Sequence, residues 1–511
     1  MVENISSSFF ISGFIVYMIG MIVIAYFTSR SNTSGEDYLM GGRNLGFFLL
    51  ISTLVASAIG TGSSIGGTAD GFRAGFRGSV FGLANSIGFL TLGLFFVQVR
   101  KFNFRTISEE VQYYYNGNIV IRKLMGVMMY AITLIWVANH INGGSKYLGY
   151  VTGVSDVSAK LLTVAAFAIY VFIGGYMAVV WTDAIQTIIL LIGFILITIM
   201  AIPTAGGFEG IRQAYETASN SGALTIYGIG TTGLMGFFSL VVAAYWGNII
   251  VPAARMRIYT ARTQGIAQKS MFMTALIVFL FSFLPAMIGM SGFTIAQANS
   301  ATAVFENPDF TFHYMATTVL GPAMGLLFLI AGLSATMSSA DSEVIAGVTV
   351  LLTDIYSVFT GKEIDNENIP KFSKIALVIT LIIAFLITLT ATDVIGFINS
   401  TVGAIAPGVG VCIILGRFWK RVTWQGGIAS VAVGFLFGLS YLLIPSLNEW
   451  IQGIFQGPAI PVTIFAFLSG IIVSLITPKM NRLSDEKILE LVLKERPKET
   501  LDVLQDEDYS F

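Results

Sequence analysis

Between Ala331 and Asp354 the chain reads AGLSATMSSADSEVIAGVTVLLTD, an apolar run long enough to cross a bilayer. At its centre it nonetheless carries Ser338, Ser339, Asp341, Ser342 and Glu343. Side-chain oxygens at that depth are costly unless they act together. Hydroxyls and carboxylates with no thiol or imidazole beside them suit a hard cation such as sodium, not a transition metal. Ala335, Ser338, Ser339 and Ser342 recur at intervals of three and four, so Ser338 and Ser342 share a helix face with Ala335 one turn before. Two hydroxyls and a carbonyl from that face need only two further carbonyls, which an opened neighbouring helix would supply. Asp341 has no basic neighbour in the run and calls for a counter-cation. Glu343 falls about 200° around the helix from Asp341, so the two carboxylates face different sites. Glu343 is expected to meet a basic group or a protein–protein face.

Such a helix needs a membrane around it, and the whole chain supplies one. Of 511 residues, 55% are hydrophobic and only 11% charged, where a soluble domain carries about 25% charged. Mean hydropathy is +0.79. A net charge of −1 gives no general attraction to nucleic acid. The single cysteine, Cys412, rules out an intrachain disulfide framework and a thiolate metal cluster. MVENISSSFF lacks the basic flank and cleavage site of a signal peptide, so the first apolar run is expected to stay as a membrane helix.

The runs predict an all-α polytopic protein with about 13 transmembrane spans. These lie at 9–29, 45–71, 78–99, 121–142, 159–178, 182–203, 231–252, 270–293, 315–353, 375–393, 397–416, 425–445 and 458–477. With the N-terminus outside, 23 of the 28 Lys and Arg fall in cytoplasmic segments. The expected placement is therefore the plasma membrane, with the N-terminus extracellular and the C-terminus cytoplasmic. In the tail, Ser484 is expected to start a short helix through Leu493, with acidic, disordered chain beyond Pro497.

Two spans read as interrupted. Span two places Gly60, Gly62, Gly66 and Gly67 among Thr61, Ser63, Ser64 and Thr68, a mixture that lets a helix open toward a cavity. Span seven holds Gly247, Asn248 and Pro252 behind Tyr245 and Trp246. If spans 2–6 and 7–11 are repeats, these are equivalent first helices, and matched interruptions point to an inverted-repeat transporter with a midplane site. Asp183 sits at the expected junction of spans five and six, as the N-cap of span six or a waypoint for an ion. No His-Glu-x-x-His motif occurs, and the near match to a dinucleotide loop at Gly60–Gly66 fails in spacing and context, so an enzyme is not expected.

The motifs carry a resemblance. Gly174-Gly175-Tyr-Met-Ala-Val-Val-Trp181-Thr182-Asp183-Ala-Ile-Gln186 resembles the GGxxAVxWTDxxQ signature of the sodium:solute symporter family. Ser338-Ser339, then fourteen intervening residues and Asp354-Ile355-Tyr356, is similar to its ninth-helix pattern, and YLMGGRNLG at 38–46 resembles its motif after the first helix. The resemblance implies a LeuT-type five-plus-five inverted repeat with one helix before it and two after. The corresponding segments are 1–44, 45–230 and 231–416 for the leader and repeats, 417–477 for two further helices, and 478–511 for a cytoplasmic tail. It implies sodium-coupled uptake of a small organic solute by alternating access, with sodium as coupling ion and no other cofactor.

By position, the resemblance places the main sodium on the carbonyls of Ala58, Thr61 and Ala335 and the hydroxyls of Ser338 and Ser339. It places a second sodium at Asp183, Asp341 and Ser342, and an aromatic gate at Tyr245. Gly60 stands where proline carriers have aspartate, while Ile65 and Val242 stand where sugar carriers have amide side chains. Ser63, Ser64, Asn139, His140, Phe237, Tyr245 and Trp246 are expected to line or gate a mostly apolar solute cavity, suited to an amino acid or monocarboxylate. His140 is expected to line it, not to bind a metal. Two other readings remain: a proton-coupled carrier using Asp341 or Asp183, and a transporter-like nutrient sensor signalling through the tail.

Overall fold

In hydrocarbon every backbone N–H and C=O must find a partner within the chain, and helices do this within one segment. A computed structural model describes residues 7–29, 34–318, 321–390 and 393–493. Among these, helix dominates, and the only β feature is an isolated bridge between Leu45 and Ala261. Among the described residues, eleven helices are long and apolar enough to cross a membrane by length and composition. The expected count of thirteen is thus not established. Two of the eleven reach across runs that the sequence separates: Gly62–Phe95 passes through Gly75 (φ 62°), and Val171–Thr204, part of the helix Asp156–Thr204, passes through a kink at Gly175 (φ 62°).

That second bend corrects the expected junction. Spans five and six reverse at Gly175, and Asp183 lies eight residues inside the following helix, so it is not an N-cap. Gly175 combines a left-handed φ with a backbone packed against Tyr38, where a β-carbon would sit 2.8 Å from the ring.

The ninth span also differs from expectation. It divides into Thr311–Thr318 and Pro322–Val350, and the latter runs into a π-helical turn at Leu351–Tyr356. Pro322 opens the long helix at its first turn, where proline loses no hydrogen bond. From Ala331 to Val350 every residue is buried. This rod is packed between span four (Ile119–Thr152) and the Asp156–Thr204 pair. Lipid-facing side chains such as Phe27, Ile199, Leu386 and Ile476 ring the outside.

The tail helix forms over Asp485–Leu493, with Ser484 Oγ accepting from Lys487 N at 3.4 Å. It docks through Ile488, Val492 and Leu493 near the short helix Ile107–Tyr114. The acidic stretch beyond Pro497 lies outside the described residues.

Candidate functional site

Span two breaks where its glycines and hydroxyls suggested. Helix Phe47–Ala58 stops at Ile59, a π-helical turn spans Gly62–Gly66, and helix resumes over Gly67–Ala74. The small polar side chains serve the disrupted ladder: Ser63 Oγ donates to Ala58 O at 3.0 Å and Ser64 Oγ to Gly60 O at 2.8 Å. Span seven breaks as well. Helix Ile229–Ile249 ends, and Pro252 begins a second helix to Thr260.

The serines of span nine lie directly against the first break. Ser338 Oγ is 3.1 Å from Ala56 O and 3.2 Å from Ala335 O. Ser339 Oγ is 3.1 Å from both Ala56 O and Ser57 O, and 3.3 Å from Ala335 O. Two hydroxyls and three carbonyls therefore converge, all of them neutral oxygens. Gly60 permits the approach, because a β-carbon there would run into Ser339 Oγ and His140. The carbonyls that touch the serines belong to Ala56 and Ser57. The Ala58 carbonyl is engaged by Ser63 and, at 3.4 Å, by Asn85 Nδ2. Thr61 Oγ1 bonds His140 Nδ1 at 3.0 Å and Thr336 Oγ1 at 3.4 Å.

Two of the three residues expected to hold a second sodium, Asp183 and Ser342, meet a different cation. Asp183 Oδ2 accepts from Ser342 Oγ at 3.2 Å and from Thr53 Oγ1 at 2.5 Å. Arg257 Nη2 lies 3.4 Å from the same carboxylate oxygen, bonds Thr53 Oγ1 at 2.8 Å, and donates to Ser342 Oγ. A guanidinium thus bridges Asp183 and Ser342, while Asp341 is fully buried on the Tyr17 side of the same helix. In the sequence Arg257 reads as a loop charge. Its fully buried setting becomes visible only when acceptors from three distant segments are assembled.

A cavity of about 40 Å³ opens next to the break. Ser57, Ala58, Gly60 and Gly62 form one wall, Trp136 and His140 another, and Asn85, Asn248 and Glu343 add polar groups. His140 lines the cavity as expected, stacked on Trp136 at 6.2 Å. Glu343 lines the cavity with Arg257 as the basic group within electrostatic reach, and its Oε2 has no hydrogen-bond partner among the described residues. Other expected lining residues lie elsewhere. Trp246 Nε1 donates to Thr463 Oγ1 at 2.9 Å, toward the last span, with Tyr245 edge-on to its ring. Phe237 packs on Tyr227, which lies just before the start of its helix, and Ser63 and Ser64 bond backbone. Asn139 is buried beside the wall, its amide without a partner among the described residues.

Beyond the cavity the helix Pro252–Thr260 is wholly buried and anchored by charge. Arg255 Nη1 meets Glu110 Oε1 at 2.8 Å, and Tyr259 and Tyr114 hydroxyls donate to the same carboxylate at 2.5 and 2.7 Å. Arg122 joins Glu109, Asp354 and the carbonyl of Val492 in the tail helix.

Known proteins resemble this chain over most of its length. A profile of the Sodium:solute symporter family matches residues 38–434. The chain is 24% identical to the sodium/proline symporter of Salmonella typhimurium, covering 82% of this chain and 85% of that protein. It is 25% identical to the sodium/pantothenate symporter of Haemophilus influenzae, covering 94% and 97%. It is 24% identical to the sodium/glucose cotransporter of Vibrio parahaemolyticus, covering 89% of each. Among solved structures, a substrate-bound, outward-open Na⁺-coupled sialic acid symporter superposes with a TM-score of 0.75 at 17% identity, over 93% of this chain and 99% of that one. Mhp1, a nucleobase-cation-symport-1 family transporter, superposes at 0.57 and 15% identity, over 90% and 99%. These likenesses show the LeuT-type fold.

Proposed function

Because the chain belongs to the sodium:solute symporter family, we propose that its coupling sodium binds where the broken second span meets the ninth. The chain is a multi-pass membrane transporter that couples entry of a small organic solute to sodium. The observation that carries the site is the convergence of Ser338 and Ser339 on the carbonyls of Ala56, Ser57 and Ala335. Each hydroxyl now donates to a carbonyl. Rotating those protons away would turn the same oxygens into ligands for a hard cation without moving a heavy atom far. Ala58 and Thr61, next along the unwound turn, join the set if the break opens by one residue.

A second sodium at Asp183, Asp341 and Ser342 is replaced in this reading by a resident charge. Arg257 supplies the cation that Asp183 and Ser342 would otherwise seek. One sodium per cycle follows. That ion, crossing about 100 mV down a tenfold gradient, supplies roughly 3.7 kcal/mol, enough for a solute ratio of several hundred.

The cavity favours an amine-bearing solute, an amino acid or an amine, over a simple monocarboxylate. Glu343 puts a carboxylate into its wall beside the aromatic face of Trp136. At about 40 Å³ the cavity has room for only a few waters, so its walls must part to admit any such solute. The repeats 45–230 and 231–416 would move against each other to part them. The positive-inside balance places the N-terminus outside and the C-terminus in the cytoplasm of a plasma-membrane protein.

Uptake into proteoliposomes under separate sodium and proton gradients tests the reading. Sodium should drive accumulation with a first-order activation curve. Uptake that ignores sodium but follows pH would replace it with a proton-coupled carrier. A second-order sodium curve would overturn the role given to Arg257.

A further inference from the structure

We propose that the end of the molecule where spans eleven, twelve and thirteen converge on the tail holds the headgroup of an anionic phospholipid. A cavity of about 580 Å³ lies there, between the short helix Ile107–Tyr114, the end of span eleven (Val394–Phe418) and residues 479–482. Four cations line it: Arg417, Lys420, Lys479 and Arg482. No acidic residue does.

The cations are poorly compensated. Arg482 reaches Asp485 at 3.6 Å, but both side chains are about half exposed, so water and salt weaken the pair. Arg417 lies against Tyr114 and Phe418, with its Nη2 on the neutral Gln98 at 2.6 Å. Lys420 and Lys479 make no ion pair among the described residues. Like charges gathered around one void repel each other, and an anion seated among them removes that cost. Asn481 adds a hydrogen-bonding side chain to the lining, whereas Tyr113 is engaged by Asp485 and Asn116 by the backbone of Asn481 and Leu483.

The surroundings identify a lipid as the source of the anion. Phe418 ends one membrane span and Ile476 another, so the cavity opens at the boundary between hydrocarbon and water. Phe418 is 50% exposed and stacks edge-on with the exposed Phe95. Leu475 and Ile476 are exposed next to Arg421, which binds the carbonyls of Leu475 and Thr477 at 3.2 and 2.9 Å. A soluble phosphate would leave these apolar rims unused, whereas acyl chains would cover them. Basic pockets of this kind between membrane helices suit phospholipid headgroups. Only the leaflet, the cytoplasmic one, rests on the orientation proposed above.

Full-length protein in neutral detergent should be titrated with phosphatidylglycerol, phosphatidylcholine and glycerol 3-phosphate. Bound lipid is read by native mass spectrometry and stability by the melting temperature. Phosphatidylglycerol should bind with a one-to-one component and raise the melting temperature, and the other two should not. The K420Q/K479Q/R482Q variant removes three charges, each worth roughly fivefold, so binding should weaken about 100-fold. An equal neutralisation elsewhere, K269Q/K362Q/K371Q, should leave it within about threefold. Because the substituted side chains are exposed, an unchanged lipid-free melting temperature and retained sodium-dependent uptake verify that the variants fold. Phosphatidylglycerol binding that survives the first variant, equal binding of phosphatidylcholine, or an equal response to glycerol 3-phosphate would each overturn the lipid site.

Discussion

Two buried polar regions sit less than a helix length apart and are built on opposite principles. At the junction of spans two and nine, serine hydroxyls touch backbone carbonyls, and every contact is neutral. Around the helix Pro252–Thr260, the contacts are between full charges: Arg255 with Glu110, Arg257 with Asp183. All four of those side chains are fully buried. A neutral bond nets about 1 kcal/mol and can be exchanged for an ion at little cost. A buried ion pair adds little net stability, yet losing one partner strands the other charge. The first region is therefore suited to binding and releasing an ion in every cycle. The second is suited to holding one closed arrangement until a concerted movement breaks it.

The contrast can be broken most forcefully at Glu110. Truncation to Ala leaves the Arg255 guanidinium without its carboxylate and removes the acceptor of Tyr114 and Tyr259. Thermal unfolding should show a loss of about 3–5 kcal/mol. The same truncation at Glu209, which pairs with Arg212 on an exposed helix, should leave the melting temperature unchanged. If the two variants melt alike, the buried clamp is not what secures this end of the molecule.

The neutral region should respond in the other currency. Ser338→Ala with Ser339→Ala removes both hydroxyls, so half-saturating sodium should rise by tens-fold or more, about 2 kcal/mol, with expression and melting temperature nearly unaltered. Unchanged sodium activation would remove the ion from this junction.

The smallest expected effect lies at Asp309, in the short turn Pro308–Phe310 outside the membrane spans. Burial pushes its carboxyl up to about 6, against the opposing pull of Arg73. A carboxyl with a raised folded pKa destabilises the fold once it must ionise. The penalty is absent below about pH 4, grows between 4 and 6, and is complete above 6. Asp309→Asn should therefore stabilise the protein by about 1–2 kcal/mol at pH 7.5 and leave it unchanged at pH 4. Equal melting shifts at both pH values would show that the side chain acts through packing alone.

The two regions were not equally legible in the amino-acid order. The serine site could be read because its periodicity lies within one helix, and the glycine-rich break announces its partner locally. The register of that partner could not be read. Whether Ala56 or Ala58 faces Ser338 depends on how span two unwinds, which only the packing against Gly60 decides. The charged region was opaque for another reason. Glu110 and Arg255 are 145 residues apart, and each alone resembles an ordinary loop charge. Their burial emerges only when Ile107–Tyr114 and Pro252–Thr260 fold back against the bundle. The reversal at Gly175 was misplaced because hydropathy marks the apolar edge, whereas the chain turns where a residue without a side chain can adopt a left-handed φ.

Arg122 grips Asp354 just past the serine-bearing rod while one of its other nitrogens holds the carbonyl of Val492. The tail helix is thus wired to the serine-bearing helix through the Arg122 side chain. A fluorescent or spin probe on the outward face of that terminal helix, at Glu490 for instance, would register each tilt of the rod from the water side, leaving the permeation path chemically untouched.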